Sequence, residues 1–477
     1  MLTTSTTSTR PVVIIGAGPV GLAAAAQLAE RGVDFLVLET GPTAGAAISD
    51  WGHTRLFSPW QYNVDSAAGR LLGAQGWTAP DGDTLPTGHE LREQYLEPLA
   101  ELPQLAPSIR YGVRVAAVSR AGLDKTRTAG RDEAPFLVRI ESADGQVEDL
   151  LASAVIDASG TWSTPNPLGQ AGLVAPGETA ARAAGRITWA LPDVLGRDRA
   201  AFAGKRVMVV GAGHSAANTL LDLADLAEQE PSLSILWAVR TADVSRVYGG
   251  GEQDELAARG ALGTRLRRLV ETGRIEVRTS FTITRFTAGE ALRVHATTPD
   301  GERTEEIDLL VPAAGFRPQL GMLSELRLSL DAAVEAPAQL GPLIDPEFHS
   351  CGSVEPHGER VLSHPEKNFY IVGMKSYGRA PTFLMATGYE QVRSIAAALA
   401  GDREAADAVH LDLPETGVCT TDLGGSCDAP ASASASSDEG CCAPAPAPAP
   451  VGESCCAPEP AASTCCSSSQ PITLSVR

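Results

Sequence analysis

Val12-Val13-Ile14-Ile15 runs without a break into Gly16-Ala17-Gly18-Pro19-Val20-Gly21. An alanine-rich segment, residues 22–30, follows, and then a second apolar run, Phe35-Leu36-Val37-Leu38, that ends on Glu39. Strand, glycine turn, helix and strand in this order predict a βαβ unit with G-x-G-x-x-G spacing. Gly16 permits the tight turn, Gly18 lets the backbone approach a pyrophosphate, and Gly21 lets the helix lie close to the strand. The helix start, opened by Pro19, offers N–H groups and a positive dipole end to phosphates. Glu39 closes the second strand, where a carboxylate accepts from ribose hydroxyls. The candidate contacts to a dinucleotide are therefore Gly16, Gly18, Pro19, Gly21 and Glu39.

A second unit of the same kind starts at residue 207. Val207-Met208-Val209-Val210 leads into Gly211-Ala212-Gly213-His214-Ser215-Ala216, with alanine in the third-glycine place. A helix to about residue 228 and a strand over 233–239 follow, ending on Arg240. The two ends differ in sign. A carboxylate suits a free ribose hydroxyl, and an arginine suits a 2′-phosphate. The first site thus reads as FAD, on Glu39. The second reads as NADPH, on Gly211, Gly213, His214, Ser215 and Arg240. Arg240 has a plainer reading as a solvated strand end. His214 reads as a turn residue near the nicotinamide ribose and not as an acid or base.

Two further strands end in A-x-G and then proline. One is Ala154-Val155-Ile156-Asp157-Ala158-Ser159-Gly160; the other is Leu309-Leu310-Val311-Pro312-Ala313-Ala314-Gly315. They look like two passes of the chain between domains, and Ala158, Gly160 and Gly315 are candidate cofactor contacts. The predicted organisation is a first FAD part, 1–165, an inserted NADPH domain, 166–312, and a second FAD part, 313–410, followed by a tail, 411–477. The fold class is α/β with two Rossmann-like dinucleotide-binding domains and a disordered Cys-rich tail.

Between these landmarks, residues 41–50 read as a loop. Residues 51–60, rich in aromatics without a clean period, read either as a wall over a flavin ring or as a packed surface loop. Residues 89–101 predict a helix with Leu91, Tyr95, Leu96 and Leu99 on one face. Residues 113–118 and 136–140 predict strands of a small antiparallel layer, with a turn at Asp144-Gly145. The run 369–372 ends at Gly373. Pro381-Thr382 then opens a predicted helix to about residue 400. Its positive end faces a flavin's pyrimidine side, with Gly373 and Thr382 as contacts, or it is a packing helix alone.

The chain has 477 residues, 43% hydrophobic and 20% charged, and a net charge of −20. That balance argues against nucleic acid or an anionic membrane as partner. No run of about 18 apolar residues exists. Residues 1–10 have no apolar core, so they are not a signal peptide and a cytoplasmic location is expected. Oligomeric state is left open. From residue 411 Pro, Ala, Ser, Gly and Cys dominate and no aromatic residue appears, a composition that predicts disorder. The tail carries three vicinal pairs, Cys441-Cys442, Cys455-Cys456 and Cys465-Cys466.

Two nucleotide sites in one chain imply hydride transfer from NADPH to flavin. Residues 1–350 contain no cysteine, which excludes a dithiol next to FAD as the next acceptor. Oxygen, with or without a second substrate, and the tail cysteines remain. At this point the chain resembles the flavin-containing monooxygenases. The resemblance lies in the order of its two G-x-G turns, the Asp157-Ala158-Ser159-Gly160 strand end, Arg240 and Ala314-Gly315-Phe316-Arg317-Pro318. Trp162-Ser163-Thr164-Pro165-Asn166-Pro167, Tyr248-Gly249-Gly250-Gly251 and Tyr377-Gly378-Arg379-Ala380-Pro381-Thr382-Phe383 are similar, more narrowly, to flavoprotein monooxygenases of bacterial arsenic-resistance operons. The resemblance implies that NADPH reduces FAD and that a flavin C4a-(hydro)peroxide oxidises a small, soft nucleophile, with O2 as co-substrate. No catalytic side chain is assigned.

Two departures stand out. No histidine lies between His89 and His214, so the F-x-G-x-x-x-H fingerprint is missing, with Arg186-Ile187-Thr188-Trp189 roughly in its place. Met374-Lys375 follow Gly373, where many relatives place an aspartate. The tail pairs resemble those of arsenic metallochaperones and of mercuric reductases. They are read as an As(III) or organoarsenical site, as a zinc or copper scavenger, or as a dispensable tail. The competing functions are a metalloid-binding flavoprotein and a plain NADPH oxidase.

Overall fold

A computed structural model describes residues 10–248, 257–347, 356–380 and 383–411, all within one compact unit. Val12–Ile15 (β1) pairs in parallel with Phe35–Leu38 (β2) and, on its other side, with Ala154–Asp157 (β7). Ile109–Arg110 (β3) extends the sheet beyond β2, and Phe369–Ile371 (β15) beyond β7. Every residue of β1, β7 and β15 is buried. Unbroken apolar runs are what a parallel sheet covered on both faces requires. The chain leaves β1 toward β2 and returns on the opposite side at β7. The crevice for a ligand therefore opens beyond the carboxyl ends of these central strands.

A second parallel sheet runs Glu276–Arg278 (β10), Ser234–Ala238 (β9), Arg206–Val210 (β8) and Leu309–Pro312 (β14). Its order repeats the device, with β9 on one side of β8 and β14 on the other. Each sheet has an antiparallel companion of three strands. Val113–Arg120 (β4), Phe136–Ser142 (β5) and Val147–Ala152 (β6) form the one that the sequence predicts, with Asp144-Gly145 in the β5–β6 turn. The other, Thr282–Ala288 (β11), Leu292–Thr298 (β12) and Gly301–Ile307 (β13), was not read from the sequence.

The Pro19–Glu30 helix is buried along almost its whole length, Gln27 included. It is sandwiched between the first sheet and the Met385–Leu399 helix, and the run Ala23 to Ala26 permits that close approach. Burying Leu22 and Leu28 completely contributes roughly 1.5–3 kcal/mol each. The loop entering β15 is tied down by charge. Glu366 accepts from Arg120 Nε at 2.7 Å, from Arg131 Nη2 at 2.8 Å and from the Arg327 N–H at 3.0 Å. Glu366, Arg120 and Arg131 are all buried, and the Arg120 guanidinium also lies 3.7 Å over the Phe136 ring.

Three expectations change in detail. Residues 41–50 contain a helical turn, Ala46–Ser49, hydrogen-bonded back to Gly45. The helix at 89–101 begins at Gly88, capped reciprocally by Thr87 and Glu90, and passes through a wider turn at Arg92–Leu96. The helix expected from Pro381 begins at Met385. Leu384 is extended (ψ 142°), and the Phe383 ring turns back onto Tyr377, their centroids 5.2 Å apart. Pro381, Thr382 and the six paired cysteines lie outside the described residues. No helix among the described residues is long and apolar enough to cross a membrane.

Candidate functional site

Gly16 has φ +101°, and a Cβ there would lie 2.8 Å from the Ala158 carbonyl oxygen. A Cβ on Gly21 would lie 2.0 Å from the Gly16 oxygen, so helix and strand close only around glycine. Gly18 is different: a Cβ there meets nothing within 4 Å. It is the N-cap of the Pro19–Glu30 helix, with no side-chain cap, and Pro19 takes the first helical place. An uncapped helix start facing open space is the cradle a pyrophosphate requires. Glu39, half-buried after β2, accepts the Ala17 N–H on Oε2 and the Gly41 N–H on Oε1, each at 2.7 Å. The residues present fit an adenine dinucleotide.

The floor beside this turn is the end of β7. Ala158 donates its N–H to Ile15 O at 3.0 Å, and Gly160 has φ +67° with open space where a Cβ would be. Gly373, φ +67°, follows β15, and a Cβ there would press on Val20 at 3.2 Å. Its N–H is held by Gln391 Oε1 at 2.8 Å. The structure thus brings Gly16, Gly18, Pro19, Gly21, Glu39, Ala158, Gly160 and Gly373 to one end of one sheet. It adds a group that the sequence reading left unassigned. Lys375 Nζ donates to Asp157 Oδ2 at 2.7 Å and to Ser159 Oγ at 3.1 Å. An aspartate closing an apolar strand and a lysine four residues past the last one were the available signals. Nothing local paired them.

The second turn repeats the first. Gly211 has φ +135°, and a Cβ would lie 2.0 Å from Ala313 O. Its own oxygen accepts from the buried Trp237 Nε1 at 2.7 Å. Gly213 is the uncapped N-cap of the His214–Gln229 helix and faces open space. His214 is the first residue of that helix rather than part of the turn, and Ser215 follows it. Arg240 is exposed, two residues beyond the end of β9.

The two sites meet through residues 50–60. The Phe57 and His214 rings lie 4.8 Å apart. Trp162 Nε1 donates to Asp50 Oδ2 at 2.8 Å, and its ring lies 4.8 Å from Phe316 and 6.1 Å from Trp189. Asp50 and Trp189 line a recess of about 370 Å³ with Leu191, Pro192, Arg197 and Phe202. Burial pushes the His53 imidazole below its ordinary value, against the opposing pull of Asp193. The aromatic stretch therefore packs, through Phe57 and His53, against His214 and residues 192–198.

The two crossings run side by side. Pro165 and Phe316 form an antiparallel bridge, Asn166 N–H donates to Gly315 O at 2.9 Å, and Arg317 N–H donates to Thr164 O at 3.0 Å. Asn166 Nδ2 also donates to Ala314 O at 3.1 Å, which fixes the turn at Gly315. Among the described residues no cluster of His, Cys, Asp or Glu is arranged to hold a metal ion.

Residues 13–340 match the family described as pyridine nucleotide-disulphide oxidoreductase. A ferredoxin–NADP reductase of Thermus thermophilus is 25% identical over 72% of this chain and 84% of that protein. The indole-3-pyruvate monooxygenase YUCCA6 of Arabidopsis thaliana is 30% identical over 48% of each chain. Among solved structures, the bacillithiol disulfide reductase of Bacillus cereus shares the fold with a TM-score of 0.61. It is 18% identical and covers 82% of this chain and 99% of its own. With two glycine turns built alike on two parallel sheets, the chain belongs to the pyridine nucleotide-disulphide oxidoreductase family and is an oxidoreductase.

Proposed function

We propose that this oxidoreductase is a flavoprotein monooxygenase that uses FAD and NADPH to transfer an oxygen atom from O2 to a small, soft nucleophile. FAD is assigned to Gly16, Gly18, Pro19, Gly21 and Glu39, with Ala158, Gly160, Gly373 and Thr382 along its length. NADPH is assigned to Gly211, Gly213, His214 and Ser215, with Arg240 on the 2′-phosphate and Gly315 at the crossing. In this reading residues 1–165 and 313–410 hold the flavin, and the inserted 166–312 hold the nucleotide.

One observation carries the reading. Two uncapped helix starts open toward ligand space, the first with its turn held by the Glu39 carboxylate, and residues 1–350 supply no cysteine to take the electrons onward. Bound FAD supplies the two-electron and oxygen chemistry. The chain's own part is binding, orientation and exclusion of water. The glycine turns fix the phosphates. The Trp162, Phe316 and Trp189 rings wall the junction, and Phe57 holds the second turn against the first half.

The narrower substrate class is arsenical: As(III) or an organoarsenical. The three vicinal cysteine pairs support it, because thiolates select soft ions. The test is NADPH oxidation with arsenite, methylarsenite, aryl sulfides and amines, with heavy-isotope oxygen traced into product by mass spectrometry. Labelled product supports the reading. Peroxide as the sole product with every compound overturns it in favour of an NADPH oxidase, and bound but unoxidised arsenic favours a metalloid-binding flavoprotein.

A further inference from the structure

The recess of about 370 Å³ between Asp50 and residues 188–202 falls in the size range of small-molecule sites. Its lining is mainly apolar, from Trp189, Ala190, Leu191, Pro192, Ala201 and Phe202. It offers real surface to a ligand, because Trp189 is 43% exposed. The Trp162 ring meets Trp189 nearly edge-on, at 71° with centroids 6.1 Å apart, and is itself held by Phe316 and by Asp50. Leu191, at φ +52°, sits in the left-handed region directly before Pro192, where a bulky side chain is strained. Such a conformation persists only where the surroundings over-determine it, so this wall is rigid.

Charge sets the recess apart from an ordinary apolar crevice. Arg197 lines it, but Asp198 already binds that guanidinium, Oδ1 to Nε at 3.0 Å and Oδ2 to Nη2 at 3.1 Å. Asp193 adds a further carboxylate behind them, holding the Gly196 and Arg197 N–H groups at 2.9 Å each. Burial holds the nearby His53, bonded to Pro192, below its ordinary value, so it is neutral near neutrality. Asp50 is the unmatched charge. Its Oδ2 accepts from Trp162, and among the described residues nothing donates to Oδ1. An exposed indole beside a carboxylate without a counter-ion favours positive charge twice over, through the ring quadrupole and through the carboxylate. An anion would be repelled by both, and a neutral molecule would use neither.

We propose that this recess binds a small organic cation, an onium group on an apolar body, with Trp189 as its aromatic wall and Asp50 as its counter-charge. Leu191, Pro192 and Phe202 take the apolar body. The binding does not depend on where FAD lies. Its use rests on the function proposed above. A protonated or quaternary nitrogen has no lone pair to oxidise, so the recess would hold the charged, non-reacting end of a substrate.

The test is calorimetric titration of the full-length protein with choline and with its neutral analogue, in which a tert-butyl group replaces trimethylammonium. The two share a shape and differ in charge. Choline is expected to bind more tightly, and its advantage to shrink with added salt. Trp189→Leu keeps an apolar wall without the ring. It is expected to weaken choline by roughly two- to thirtyfold, the span of a cation–π contact, and to change the neutral analogue little. Asp50→Asn keeps an acceptor for Trp162 and removes the charge, and is expected to weaken choline alone. No measurable binding of choline, equal or tighter binding of the neutral analogue, or tighter binding of benzoate overturns the proposal. So does an equal loss of both ligands in the variants, which is what a collapsed recess produces. The wild-type comparison needs no variant and decides the matter should either variant fail to fold. Release of no FAD by the wild type bears on the cofactor placement alone and is a separate outcome.

Discussion

The Glu39 carboxylate accepts the Ala17 N–H at 2.7 Å, so the residue that closes β2 also ties down the middle of the first glycine turn. The same carboxylate holds the Gly41 N–H. Glu39 therefore shapes the first glycine turn, and in the proposed placement of FAD it also meets the ribose. Glu39→Ala leaves both N–H groups without this acceptor. It is expected to weaken FAD binding by roughly 1.5–3 kcal/mol, the scale of a hydrogen bond to a charged group. Glu39→Gln, which keeps one carbonyl oxygen, should fall between. Equilibrium dialysis of apoprotein against FAD measures both.

The second and third glycines of the first turn separate binding from folding. Gly18→Val adds a side chain into open space, so the apoprotein should melt close to the wild type while FAD is lost. Gly21→Val drives a side chain into the Gly16 carbonyl. It is expected to destabilise the chain itself by about 1–3 kcal/mol or more. Thermal melts of both apoproteins, with flavin content read by absorbance, decide between these outcomes.

Arg240→Ala is expected to raise KM for NADPH and leave that for NADH nearly unchanged. Loss of a charge-assisted phosphate contact is worth roughly 1.5–3 kcal/mol. Steady-state kinetics with both nucleotides provides the check. Equal losses for the two would remove Arg240 from the 2′-phosphate.

Glu366 gives a pH-dependent prediction. Burial pushes its carboxyl up, but hydrogen bonds from Arg131, the Arg327 N–H and Arg120 outweigh burial and hold it below the ordinary carboxylate range. A depressed folded-state pKa contributes stability in full above the unfolded value of about 4.3, and that contribution is lost as pH falls through the folded value. Glu366→Gln should therefore cost about 3–5 kcal/mol near neutrality, because two buried guanidiniums lose their counter-charge. The deficit against wild type should narrow in acid. Urea melts across pH 3–7, about the span of carboxylate titration, test this.

Truncation after Leu413 is expected to leave FAD content and basal NADPH oxidation intact and to eliminate high-affinity As(III) binding. Changing the six paired cysteines to serine should do the same. Mass spectrometry under reducing conditions gives the stoichiometry. Equal binding by full-length and truncated chains would exclude the tail as the metalloid site.

Both glycine turns, their strands and the acid–base contrast at Glu39 and Arg240 were legible in the sequence, because a tight turn and a close helix–strand approach permit few residue types. The crossings were legible as a repeated A-x-G pattern. Their mutual pairing was not, since Pro165 and Phe316 carry no local sign of each other. The same holds for Lys375 and Asp157, far apart in sequence and brought together by the pairing of β15 with β7. The second antiparallel layer escaped because β13 is mostly exposed and polar, so it lacks the alternation that marks a half-buried strand. The start at Met385 was misplaced because proline signals a helix start only where the following backbone continues helical. Here Leu384 is extended.

The bridge between Pro165 and Phe316 has a consequence for how such a chain is assembled and remodelled. The chain enters and leaves the 166–315 segment at neighbouring points joined by backbone hydrogen bonds. Topologically that segment is a single loop closed at its neck, like a bag on a drawstring. A few residues would suffice to splice across the neck, leaving β15 in register beside β7 and β7 beside β1. In the proposed placement of NADPH, an exchange of this segment for one with another nucleotide preference is a cassette swap with two adjacent junctions, and the core that buries the Pro19–Glu30 helix need not be rebuilt.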